Sequence, residues 1–146
     1  MKRYSETVYL DANFFIFSLL DRTEVGEGAR MIYQKMVEGK LNTATSSLTF
    51  DEVMWVLIKA NKKHLIKDAV NDIYKTQNLA ILPVSISIPL NAIDLILKGL
   101  NPRDAFHVAV MMENKISTII SDDLHFKAVE DIKCFNFKDF LLEIEG

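Results

Sequence analysis

Four acidic residues, Asp11, Glu52, Asp104 and Asp123, stand far apart in the chain, each where a carboxylate could do chemistry. Asp11 directly follows an apolar, β-prone run at 7–10. Asp123, with Asp122 before it, follows a second such run at 118–120 after the single residue Ser121. Glu52 lies in the opening turns of a helical pattern that begins at position 48, and Asp104 in the first turn of a helix opened by Pro102. A convergence of the four would need a cation. Two carboxylates ~4 Å apart repel by about 4 kcal/mol at an effective dielectric near 20, so three or four together require protonation or a divalent ion between them. Ligation by carboxylate oxygen suits Mg2+ or Mn2+ rather than zinc. One or two such ions would activate a water and stabilise the charge that builds on a phosphate during in-line displacement.

The elements that must position these acids alternate. Strands are expected at 7–10, 41–44, 79–84, 118–120 and 132–135. Helices are expected at 14–20 (capped by Asn13), 27–38 (stopped by Gly39), 48–60 (capped by Ser46 or Ser47), 65–76, 88–97, 102–114, 124–129 and 137–144. Alternation of this kind means a parallel sheet with helices on both faces, and such sheets bind ligands outside the carboxyl ends of their strands. Asp11, Asp122 and Asp123 lie at such ends, and Glu52 and Asp104 point toward the same edge. Taken singly, each acid has an ordinary reading: a turn residue, a cap, or a first-turn acid that complements a helix dipole. Their common edge is what argues for a site.

Composition sets the frame. The 146 residues are 49% apolar and 25% charged, the balance of a globular domain able to bury its own core. No linker or repeat divides the chain, so one domain over 1–146 is expected. One cysteine, Cys134, excludes a disulfide framework and fits a cytoplasmic location. No membrane span and no signal peptide are expected. A net charge of −3 argues against coating of nucleic acid through the overall field, though not against a nuclease that meets phosphate through bound cations.

Four segments in order, covering nearly the whole chain, resemble the PIN-domain family: VYLDAN at 8–13, TSSLTFDEV at 45–53, PRDAFHVA at 102–109 and IISDDLHF at 119–126. The third is the most distinctive. The fourth assigns the acid to Asp123 rather than Asp122, because two residues then separate it from Phe126. His125 stands where many members carry a further acid. The resemblance implies a three-layer α/β/α sandwich around a parallel sheet of about five strands. It implies Mg2+- or Mn2+-dependent cleavage of RNA, with Asp11, Glu52, Asp104 and Asp123 holding one or two ions, and Asn13 and Ser121 hydrogen-bonding a ligand carboxylate or a water on the metal. Many small members are toxins of the VapC type, each neutralised by an antitoxin encoded beside it, and many are homodimers.

Residues around these motifs have competing roles. Arg103 is either a phosphate clamp or half of a surface salt bridge. His107, one turn past Asp104, is expected to pack or hydrogen-bond rather than ligate. The basic group Lys59, Lys62, Lys63, His64 and Lys67 lies about a dozen residues along the Glu52 helix, ~18 Å at helical rise, and reads as a solvated helix end. Trp55, Phe14, Phe15 and Phe17 read as core or as a dimer surface rather than base-stacking platforms. The alternatives to a toxin are a stand-alone RNA-processing nuclease without antitoxin and an inactive binding module of the same family. Retention of all four acids speaks against the module. A phospho-receiver is excluded, since Asp11 has no acidic neighbour and 79–84 ends without an Asp. A phosphatase of the D-x-D type fails because position 13 is Asn.

Overall fold

Short apolar strands that cannot satisfy their own backbone groups pair side by side, and here all of them pair in parallel. The computed structural model describes residues 2–145. Strands β1 (Thr7–Leu10), β2 (Asn42–Ser46), β3 (Leu79–Leu82), β4 (Thr118–Ile120) and β5 (Lys133–Phe135) form one sheet in the order β3-β2-β1-β4-β5. The helices are α1 (Ala12–Leu20), α2 (Glu24–Val37), α3 (Leu48–Lys59), α4 (Ile66–Lys75), α5 (Ile88–Leu97), α6 (Pro102–Glu113) and α7 (Phe137–Glu145), with short 3-10 turns at Lys63–Leu65 and Leu124–Ala128.

The sheet divides the apolar side chains between two faces. Val8 and Leu10 pack with residues of α1, α2, α3, α4 and α7, including Phe14, Ile32, Leu57 and Phe140. Tyr9 and Ile119 pack on the other side with α5 and α6, among them Ala92, Val108 and Met111. Each fully buried large side chain contributes roughly 1.5–3 kcal/mol. This is the expected α/β/α sandwich of five parallel strands. No helix among the described residues is long and apolar enough to cross a membrane.

Strand order sets the site. The chain leaves β1 toward β2 and β3 on one side, then returns to lay β4 and β5 on the other. β1 and β4 therefore flank the point where the order reverses, the usual ligand crevice of such sheets. Their register pairs Leu10 with Ile120, which leaves Asp11 and Ser121 level at the carboxyl edge.

Two expected caps are corrected. α1 begins at Ala12, so its N-cap is Asp11, not Asn13, and the Asp11 side chain makes no capping bond. Ser47 occupies the N-cap of α3 with helical dihedrals and no side-chain bond. The polar groups before α3 bond across the sheet instead: the Thr45 hydroxyl donates to the Leu10 carbonyl at 2.7 Å and shares a 2.7 Å bond with Thr49. On α6 Met111 is buried and Met112 exposed, and Trp55, read as core or dimer surface, is about half exposed. Phe14 and Phe15 are core.

Thr45 ties the end of β1 to the end of β2 at the rim of the crevice. Thr45→Val keeps the shape and removes both bonds, so it is expected to lower unfolding stability by about 1–3 kcal/mol, read from urea denaturation.

Candidate active site

Asp11 is placed by the strand that precedes it. It is 3% exposed, and its Oδ2 accepts a 2.8 Å bond from the Ser121 hydroxyl. Its Oδ1 is buried with no partner among the described residues. Burial pushes the Asp11 carboxyl up to about 7; the His107 ring and the Ser121 bond pull it down, while Glu52 and Asp123 push it further up. An unpaired buried carboxylate oxygen is costly, and its neighbours here are acids.

Ser121 joins two of those acids. Its Oγ donates to Asp11 and accepts the backbone N–H of Asp123 at 3.0 Å. Asp123 Oδ1 in turn accepts the His125 backbone N–H at 2.9 Å, and His125 Nδ1 lies 2.9 Å from the same oxygen. Asp104 is fixed by the residue that caps its helix. Asn101 Oδ1 accepts the Asp104 backbone N–H at 3.0 Å, and the Asn101 side-chain amide Nδ2 donates to Asp104 Oδ2 at 2.6 Å. Burial raises the Asp104 carboxyl to about 6, with Asp123 adding to the rise. One ligand atom each from Asp104, Asp123 and His125 lies within 4.8 Å of the others.

Glu52 arrives from α3 on the opposite face. Its Oε1 is 3.0 Å from His107 Nε2, and its charge raises both Asp11 and Asp104. Asp104, Asp123 and His125 thus come together, Asp11 is linked to Asp123 through Ser121, and Glu52 is near enough for its charge to act on Asp11 and Asp104. Asn13 is half-buried and takes no part in these bonds. Asp122 faces away: its Oδ1 accepts the first amide of α7, from Phe137, at 3.1 Å. Arg103 pairs with Asp51 at 3.4 Å, both largely exposed, a contact worth little in water. The basic group at Lys59, Lys62, Lys63, His64 and Lys67 is fully on the surface.

Sequence reasoning missed Asn101, Tyr9 and the reach of His125. Asn101 carried a readable signal, a capping residue three positions before an acid. Tyr9 carried none, since a tyrosine in a buried strand reads as core.

The comparisons with known proteins bear on this geometry. The model of the PIN domain family matches residues 8–132. The chain belongs to the PIN domain family. Similar solved structures include VapC20 of Mycobacterium tuberculosis, a sarcin-ricin loop cleaving toxin, 16% identical with a TM-score of 0.69 over 83% of this chain and 93% of that one. VapBC2 from Rickettsia felis, bound to a DNA fragment from their promoter, is 15% identical at 0.68, over 89% and 98%. A toxin-antitoxin complex from Klebsiella pneumoniae is 19% identical at 0.60, over 86% and 94%. At these identities the likeness is one of fold. No curated protein sequence matches.

The buried carboxyl of this PIN domain has a stability consequence with a definite sign. With its folded value raised, Asp11 keeps a proton that the unfolded chain releases, so stability falls as pH rises from about 4 to about 7. In EDTA, wild-type protein is expected to weaken over that window, whereas Asp11→Asn stays flatter and exceeds wild type at pH 8. Chemical denaturation across pH reads this; equal slopes for the two proteins would contradict it.

Proposed function

We propose that this PIN domain is a metal-dependent endoribonuclease of the VapC type, cleaving RNA phosphodiester bonds at the crevice of Asp11, Glu52, Asp104 and Asp123. The observation that carries the reading is the buried Asp11 oxygen, without a partner among the described residues and repelled by Glu52 and Asp123, an arrangement that a divalent cation relieves. The donor set fits Mg2+ or Mn2+, with one or two ions held by the four carboxylates and the oxygen-rich set favouring hard cations. When bound, the ion supplies an acidified water and compensates charge on the phosphate.

The chain's own residues prepare that chemistry. Ser121 ties the Asp11 carboxylate to the Asp123 backbone, and Asn101 holds the Asp104 carboxylate. Arg103 stands one residue before Asp104 with its guanidinium half exposed, where it can leave Asp51 for a phosphate. No side-chain nucleophile is called for. The Ser121 hydroxyl is committed to Asp11, and burial pushes the Cys134 thiol up to about 11, leaving it protonated.

The partners follow from the same reading. Two of the similar structures are described as a toxin and as a toxin-antitoxin complex, which supports a protein antitoxin as the inhibitor of this chain in the cytoplasm. Homodimerisation is supported by the apolar side chains left exposed at and along α5: Ile86, Leu90, Ile93 and Leu97.

The deciding experiment is cleavage of structured and single-stranded RNA with Mg2+, with Mn2+ and with EDTA. Metal-dependent cleavage is expected, falling at least about a hundredfold in Asp11→Asn and Asp104→Asn, the loss of several kcal/mol of charge stabilisation. An Asp104→Asn variant that cleaves at the wild-type rate would remove that residue from the mechanism. Asp123→Asn should be as damaging. Asp122→Ala should keep cleavage and lose about 1 kcal/mol of stability, the worth of a helix cap; the opposite pattern would exchange the two residues' roles.

A further inference from the structure

A second polar network runs beneath the carboxylates, and the reaction scheme above makes no use of it. The Tyr9 side chain leaves β1 on the α5/α6 face and is fully buried. Its hydroxyl donates to Ser46 Oγ at 2.9 Å and lies 2.6 Å from His107 Nδ1. The two rings meet edge to face, with centroids 5.5 Å apart. His107 is 1% exposed, and its other nitrogen reaches Glu52 Oε1 at 3.0 Å. Burial holds the Tyr9 phenol above its ordinary range, so it stays protonated.

The network crosses the molecule. Tyr9 comes from β1, Ser46 from the end of β2, His107 from α6 on one face and Glu52 from α3 on the other. The His107–Glu52 bond therefore spans the carboxyl edge of the sheet. Asp11, Asp104 and Asp123 sit on short side chains braced by neighbours at the rim. Glu52 has a longer side chain with more rotamer freedom to lose, and its bond to His107 is the one its side chain makes among the described residues. His107 itself has both ring nitrogens engaged, so the ring is fixed at both ends.

We propose that Tyr9 and His107 form a positioning device that holds the Glu52 carboxylate toward Asp11 and Asp104. Neither residue meets substrate; each acts through Glu52. α6 then carries one acid of the site, Asp104, and three residues on the group that aims another. The proposal rests on the metal-nuclease reading, because it assigns Glu52 to the ion. Residues that orient ligands through hydrogen bonds typically change metal affinity by about 10- to 100-fold when lost.

The test is a calorimetric titration of Mn2+ into wild type, Tyr9→Phe, Glu52→Gln and the double variant, with folding checked by circular dichroism. Tyr9→Phe is expected to weaken Mn2+ binding about tenfold. In the Glu52→Gln background the same change should cost nothing further, because two residues acting through one contact are not additive. An equal loss in both backgrounds, or wild-type affinity in Tyr9→Phe, overturns the device and leaves the metal reading standing. Wild-type affinity in Glu52→Gln overturns the role of Glu52 at the ion, and the device with it. Should Tyr9→Phe not fold, His107→Gln and His107→Leu decide. Gln keeps an N–H for Glu52 and should bind Mn2+ about tenfold more tightly than Leu; equal affinities overturn the proposal.

Discussion

A carboxylate buried at the end of the central strand is the constraint on which the site depends. Asp11 is nearly inaccessible, one of its oxygens has no partner among the described residues, and Glu52 and Asp123 add negative charge around it. A fold would remove such a group if stability were the only demand, since desolvating a charge without a partner is among the larger penalties a side chain can impose. The adjoining structure moderates the penalty without cancelling it. Ser121 supplies a hydrogen bond to one oxygen, the start of α1 lies beside it, and the carboxyl moves toward the protonated form. Such a frustrated group at a crevice is the signature of a place built to receive something.

The parallel topology explains why the crevice is there. Because β1 and β4 are neighbours at the reversal of strand order, a residue following each strand falls at the same height. Side chains from α3 and α6, on opposite faces, then close over that edge. The polar groups lining it are tied to one another and to the sheet ends by Thr45, Ser46, Ser121 and Asn101. Glu52 and Asp104 stand on helices α3 and α6, and Asp11 directly follows β1, so the acids are carried on or beside regular elements, the arrangement that gives a site its precision.

Much of this was legible in the sequence because it depends on local pattern. The alternation of β-prone runs with helical periodicity is a backbone-level signal, and the strand ends at Leu10 and Ile120 and the proline start of α6 at Pro102 read directly from it. Asp11 and Asp123 could be placed at one edge on that basis alone. The failures were of two kinds. Cap positions slipped by a residue or lost their side-chain bond: Asp11 at the start of α1 bonds Ser121 beside β4, and Thr45 before α3 donates to the end of β1, while neither Asp11 nor Ser47 caps its helix through its side chain. The bonds from Tyr9 through His107 to Glu52 join residues 9, 107 and 52, and no local pattern encodes a contact of that range. Asp122 and Asp123, adjacent and alike, were separable by motif spacing; the structure gives Asp122 a capping bond to α7.

The central claim is that the raised carboxyls exist to be ionised by a cation. Calorimetric titration of Mn2+ near pH 6, repeated in two buffers of unlike ionisation enthalpy, counts the protons exchanged on binding. With Asp11 near 7 and Asp104 near 6, the account predicts binding with release of about one proton or more per ion. Binding with no proton exchange, or no binding, would contradict it.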